Sequence, residues 1–176
     1  MNDFELTDGE LILRPFKLEY AEAHLAGDDA ENVHWLSGGV STIETVRNWI
    51  IRNQQAWEEG GPVYSFAIFD AKTGQQVGMI DGNANPAQVE GLEEGDINIS
   101  YNIYPSARGK GYATRAVNLI QPFFKEKGYK TAIIRVHPDN AKSLGVAERA
   151  NFTRVSETVN RSEGTLIKFK KLISLE

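Results

Sequence analysis

The stretch "INISYNIYPSARGKGYATRAV", Ile97 to Val117, decides the fold. Its first half alternates. Ile97, Ile99, Tyr101 and Ile103 fall on one side and polar residues on the other, which is the period of a strand. Its second half changes period: Ala113, Ala116 and Val117, followed by Ile120 and Phe124, make a helical stripe. Between the two lie Arg108, Gly109, Lys110 and Gly111. A surface turn needs one glycine. Two glycines around a lysine, directly before a helix, point to something that comes close to the backbone. The first N–H groups of a helix have no internal partner, and the helix dipole favours an anion there.

Three phosphate-binding patterns compete for this loop. A Walker A loop needs Gly-Lys followed by Ser or Thr, but Lys110 is followed by Gly111. A dinucleotide fingerprint needs a third glycine where Thr114 stands, within a unit that the N-terminal region does not supply. The third pattern, Arg/Gln-x-x-Gly-x-Gly/Ala after a strand, is met by Arg108, Gly111 and Ala113. Lys110 and Arg108 add positive charge beside it.

Working outward, "ELILRPF" reads as a strand stopped by Pro15, and Leu18 to Ala26 as a first helix. Residues 41–57 form a second helix, with Ser41 and Glu44 at capping-box spacing and Val46, Trp49, Ile50 and Trp57 at helical intervals. "VYSFAIFD" and "VGMIDG" are strands joined by a turn at Gly74, and residues 83–95 form a long polar loop. After residue 96 come the alternating strand and the glycine loop. The following helix runs to Lys127, is stopped by Gly128, and is kinked or shortened by Pro122. A buried-type strand "KTAIIRVH", a helix "NAKSLGVAERA" and a closing hairpin that turns near residues 161–164 complete the chain. The order β-α-α-β-β-β-α-β-α-β-β predicts a mixed sheet with helices on both faces, an α/β or α+β sandwich, in a single domain spanning residues 1–176. Residues 96–137 make a β-helix-β unit whose strands should be parallel neighbours with a right-handed crossover, so the glycine loop lies at a strand's C-terminal end, where such sheets bind ligands.

The composition narrows the function classes. The 176 residues carry a formal charge of −5, which argues against a nucleic acid as main partner. There is no cysteine, so disulfides, zinc-thiolate sites and a cysteine nucleophile are excluded. His24, His34 and His137 have no ligand spacing, and no metal site is expected. The acidic start "MNDFELTDGE" has no signal-peptide pattern and no run suits a membrane helix, so a cytoplasmic domain is expected, with a homodimer left open.

The two stretches "INISYNIYPSARGKGYATRAV" and "VHPDNAKSLGVAERANF" together resemble the acyl-CoA-binding core of the GNAT N-acetyltransferase superfamily. "LILRPF" and "VRNWI" are similar to its branch that acetylates ribosomal-protein N-termini and small amines (RimJ/RimL-like). The resemblance covers roughly residues 10–160. It implies a mostly antiparallel sheet with a splayed parallel strand pair, and acetyl-CoA entering the gap between them. By the same resemblance Tyr101, Asn102 and Ile103 offer backbone groups to the pantetheine and thioester. Arg108, Gly109, Lys110, Gly111, Tyr112 and Ala113 hold the pyrophosphate, Asn140 touches the cofactor arm, and Ser143 lies near the sulfur. There are departures: the family's tyrosine acid falls at Ala147, its glycine before phenylalanine is Asn151, and a frequent acidic residue on the strand is Asn98.

Acetyl transfer to an amine needs a base for the ammonium, donors for the developing oxyanion and a proton for the leaving thiolate. The base candidates are Asp96, which opens the β-strand of the motif, and Asp81, which ends the neighbouring one. Ser143 is the candidate acid, with Tyr101 and Tyr104 as phenol alternatives, and alternation puts Tyr101 with the core isoleucines. His34 and Trp35, between the first two helices, fall where the family builds its acceptor pocket. The expected function is transfer of acetyl from acetyl-CoA to a small amine or protein N-terminus by direct attack. The alternative is an acyl-CoA-binding sensor without turnover.

Overall fold

The computed structural model describes residues 4–35 and 39–174. Its centre is a sheet in the order β1-β2-β3-β4-β5-β6-β8-β7. The strands are β1 (Leu6–Thr7), β2 (Leu11–Pro15), β3 (Val63–Asp70), β4 (Gln76–Asn83), β5 (Asp96–Ile103), β6 (Thr131–Val136), β7 (Thr153–Asn160) and β8 (Gly164–Leu172). Every pairing is antiparallel except β5 with β6, which is parallel. The expected mixed sheet and its parallel pair are both present.

The helices are α1 (Ala21–Ala26), α2 (Ala30–Trp35), α3 (Ile43–Glu58), α4 (Tyr112–Glu126) and α5 (Ala141–Arg149). They divide between two faces because the strands alternate. Leu13, Phe66, Ile80, Ile97 and Ile99 point to one face and bury against Val117, Ile120 and Phe124 of α4. Ala67, Phe69 and Met79 point to the other and meet Ala21 of α1 with Val46 and Ile50 of α3. At about 25 cal/mol per Å² of apolar surface, these two layers supply the main driving force for the fold. None of the described helices is long and apolar enough to cross a membrane.

Several local expectations change. The first helix begins as a 3₁₀ turn at Leu18–Tyr20 before α1, and the structure adds α2 and the two-residue β1 to the expected elements. The cap of α3 is Thr42, not Ser41. Its side chain accepts from the Thr45 N–H at 3.2 Å, and the Thr45 hydroxyl receives the Thr42 N–H at 2.9 Å. Helix α4 runs unbroken past Pro122. In the turn where that proline removes a donor, Gln121 Nε2 donates to the Val117 carbonyl at 2.8 Å, and Phe123 and Phe124 are buried just beyond it. Tertiary packing outweighs the local cost of the proline. Asn151, which replaces the expected glycine, adopts φ 61°, a conformation asparagine tolerates better than most residues.

Candidate active site

The site arises where the parallel pair parts. β5 and β6 are bonded only through Asp96–Asn98 and Thr131–Ile133. Beyond this, β5 stays with β4 as far as Ile103, and Tyr104 N–H still bonds the Val77 carbonyl at 2.9 Å. β6 instead stays with β8. Each strand keeps its antiparallel neighbour, and a cavity of about 960 Å³ opens between them. The β5 residues Ile99 to Ile103 line one bank, with Ile134, Arg135 and Val136 on the other. A strand edge left without a partner inside a sheet offers its N–H and C=O groups to an extended ligand, as an added strand would.

The glycine loop closes one end. A short 3₁₀ turn at Pro105–Ala107 leads into Arg108, and Gly109 and Gly111 sit at φ 76° and 77°. A Cβ at either glycine would meet nothing within 4 Å. The glycines are therefore required by the left-handed backbone, not by crowding within the protein. Gly111 is the N-cap of α4. The first bond of the helix is Arg115 N–H to the Gly111 carbonyl at 3.2 Å. The N–H groups of Tyr112, Ala113 and Thr114 thus have no intrahelical partner, and all three residues line the cavity. This is a backbone cradle for an anion.

The charges near the cradle are not arranged as the sequence implied. The Arg108 guanidinium is engaged by Asp29 (2.8 and 2.9 Å), Glu31 (2.9 Å) and Asn32 (3.0 Å) of the α2 region. Its positive charge is already neutralised. Lys110 does not line the cavity, and its ammonium lies 5.8 Å over the Tyr112 ring. Arg135 is held by Glu163 (2.8 and 3.2 Å) and Lys142 by Glu31 (2.7 Å). Arg149 lines the cavity beside Thr114, with Nε 3.4 Å from Thr114 Oγ1 and no carboxylate partner among the described residues.

Helix α5 forms the wall facing β5. Asn140 caps it, its Oδ1 accepting the Ser143 N–H at 3.1 Å. Across the gap the Tyr101 hydroxyl meets Ser143 Oγ at 2.6 Å. Alternation placed Tyr101 among the core isoleucines, and it does pack against that cluster. Its hydroxyl nevertheless reaches the cavity wall. Burial pushes the Tyr101 phenol up to about 12, so it carries its proton at neutral pH. Ala147, at the family's tyrosine position, is fully buried.

The two base candidates are separated by topology. Asp96 lies at the closed, paired end of β5 and does not line the cavity. Its carboxylate accepts the Glu93 N–H at 3.0 Å and sits 3.9 Å from both Lys168 and Lys170. That is the environment of a structural anion, held at the paired end of the strand pair. Asp81 does not line the cavity itself, but it is the register partner of Ser100, which does, and shares its face of the sheet. Asp81 is half-buried, and desolvation raises its carboxyl to about 7. A backbone hydrogen bond from Ser100 offsets part of that rise. Further along this face, Asn98 Oδ1 and Asn102 Oδ1 are buried without partners. His34 and Trp35, at the end of α2, line the same cavity with ring centres 4.3 Å apart. The rest of that motif, residues 36–38, lies outside the described residues.

The open strand edge, the free helix N–H groups and the gap between β5 and β6 fit the extended arm and pyrophosphate of an acyl-CoA. Together they define an acyl-CoA-binding transferase fold. The family described as acetyltransferase (GNAT) domain matches residues 10–153, and the chain belongs to it. It is an acetyl-CoA-dependent N-acetyltransferase. No curated protein sequence matches the chain. Among solved structures, a GNAT-family acetyltransferase from Bacillus anthracis superposes with TM-score 0.80 at 21% identity, covering 97% of this chain and 99% of that one. The ribosomal-protein-S5-alanine acetyltransferase from Vibrio fischeri gives 0.81 at 16% identity and 98% coverage of each. RimL, a ribosomal L7/L12 α-N-protein acetyltransferase in complex with coenzyme A, gives 0.82 at 18% identity, covering 98% of this chain and 100% of that one.

Proposed function

We propose that the protein acetylates the α-amino group of a protein or peptide N-terminus by direct attack in a ternary complex, with Asp81 as proton acceptor and the Tyr101–Ser143 pair as proton donor. Acetyl-CoA supplies the activated acyl group. The observation that carries this reading is the pairing of two groups with opposite tasks across one gap. Asp81, raised to about 7, is half-ionised at neutral pH. Tyr101, raised to about 12, is fully protonated and hydrogen-bonded to Ser143.

The value for Asp81 bears on the acceptor. An α-ammonium has a pKa of about 8, so proton transfer to such a base is uphill by about one unit. A lysine ammonium, near 10.4, would be uphill by about three units, or roughly 4 kcal/mol. The base is matched to an N-terminal amine. Solved structures of similar fold include enzymes described as acting on the N-terminus of the ribosomal protein L7/L12, and this agrees with that match. The unpaired edge of β5 would present backbone N–H groups to the thioester oxygen as charge develops there. Tyr101 and Ser143 would pass a proton to the departing thiolate.

A thiol-release assay tests the proposal. Peptides with free N-termini should stimulate release from acetyl-CoA, and N-terminally blocked peptides carrying lysine should not. Equal stimulation by both would reject the α-amine assignment. Tight coenzyme A binding with no amine-stimulated release would reject catalysis.

A further inference from the structure

The connection between β5 and α4 is fastened to the segment from Gly27 to Trp35 at two points. At the first, Tyr104 packs on Gly27 so closely that a Cβ there would lie 2.3 Å from the ring. The Tyr104 hydroxyl also accepts from Gln76 Nε2 at 2.8 Å and meets His24 Nδ1 at 2.9 Å. At the second, the guanidinium of Arg108 is saturated. Nη1 donates to Asp29 and Glu31, Nη2 donates to Asp29 and Asn32, and Nε donates to the Ile103 carbonyl at 3.0 Å. Arginine has five N–H donors, and all of them are committed. From the opposite bank, Lys142 of α5 grips Glu31 as well.

Chain position gives this cluster its meaning. Arg108 immediately precedes the two positive-φ glycines of the anion cradle. Its partners Asp29, Glu31 and Asn32 stand at the start of α2, and the end of α2 carries His34 and Trp35 into the cavity. A planar fork with every donor placed is a rigid strut, and lysine could not replace it.

We propose that Arg108 is a positioning residue that ties the acceptor-side helix α2 to the donor loop, so that donor and acceptor bind with positive coupling. The inference rests on the acetyl-transfer reading above. A donor seated in the cradle orders the backbone at Arg108. Helix α2, anchored on the same guanidinium, is ordered with it, and the acceptor meets a wall already set. Such coupling is reciprocal for binding.

Asp29→Asn separates this role from phosphate binding, because the two predict opposite changes. Were Arg108 a phosphate ligand held back by Asp29, its release would tighten coenzyme A. As a strut, the variant should leave coenzyme A affinity by calorimetry within about twofold, and raise the acceptor KM about tenfold with little change in kcat. Arg108→Lys keeps the charge, loses the fork, and should show the same split. Hydrogen exchange provides a readout that needs no acceptor. In the wild type, coenzyme A should slow exchange of amides 30–35 about fivefold, and Asp29→Asn should abolish that slowing. Tighter coenzyme A binding by Asp29→Asn, or no coenzyme-dependent protection of α2 in the wild type, overturns the inference. Absent thiol release in the wild type would instead sink the acetyl-transfer reading, while the exchange experiment still judges Arg108.

Discussion

The donor and acceptor halves of the cavity are built from different materials. The donor half is mainly backbone: the bare edge of β5, two left-handed glycines and the first N–H groups of α4. The half we assign to the acceptor is lined by side chains drawn from separate elements: His34 and Trp35 of α2, and Arg135 of β6 with Glu163 of the last turn, with Asp81 of β4 beside the lining Ser100. Backbone recognition depends on local conformation and suits a ligand whose shape is fixed. Side-chain recognition depends on assembly from distant parts and can be retuned one residue at a time. A single glycine change should therefore harm the donor half, whereas a single polar change should alter chemistry in the acceptor half and leave the donor bound.

The largest effect is expected at Asp81. Asp81→Asn should lower kcat/KM by about 10³, in the range for loss of a general base, with coenzyme A affinity unchanged. The wild-type pH profile should rise through a pKa near 7, and the variant should lose that limb. The same change should alter stability in a pH-dependent way. The folded pKa of Asp81 lies above its unfolded value, so the ionised carboxylate penalises the native state. Asp81→Asn should melt with the wild type at or below about pH 4 and above it by pH 8, the gap opening between those limits. Melting curves at both ends check this, and a constant difference would remove the buried-carboxylate argument.

Next comes Gly111→Val. A β-branched residue at φ 77° is strained whatever space surrounds it. Coenzyme A affinity by calorimetry should fall about 100-fold, with the melting temperature reduced less than a core truncation would reduce it. Unchanged affinity would break the contrast between the halves.

Smaller effects are expected from the proton-donor pair. Tyr101→Phe and Ser143→Ala should each lower kcat about tenfold, and the double variant should be hardly worse, because the two hydroxyls act as one unit. Strict additivity measured in that cycle would separate them. The smallest effect is at Arg149, a lining cation without a carboxylate partner among the described residues. Arg149→Gln should weaken coenzyme A about fivefold and dephospho-coenzyme A less, which would mark a side-chain contribution within the backbone-built half.

This division of materials also decides what the sequence could reveal. The donor loop was legible because its strand, glycines and helix are contiguous, and the change of hydrophobic period brackets them. Long-range partners were not. Arg108 looked like a free cation because its carboxylates lie 77 and 79 residues upstream. Tyr101 looked like core because alternation assigns a face and not the reach of a phenol towards a serine 42 residues on. Asp96 and Asp81 looked equivalent as strand-end acids. Only the register, with β5 bonded to β6 at Asp96 and Asp81 beside Ser100, separates them. At the cap of α3, Ser41–Glu44 and Thr42–Thr45 both have workable spacing, and sequence alone gives no reason to prefer the second. Helix α2 is too short to show a period, and Asp29, Glu31 and Asn32 at its start are tied to Arg108.

The parting of β5 from β6 has a consequence beyond catalysis. A sheet interrupted between central strands carries a line of weakness through its middle, with hydrogen-bonding groups that a bound molecule can satisfy in place of water. The donor substrate is then also a mending piece. At about 100 times its dissociation constant, a ligand bound only by the native state adds about 2.7 kcal/mol of stability. The durability of the protein is thereby linked to the supply of its own substrate: where the thioester is plentiful the sheet is braced, and where it is scarce the seam is the first place to open.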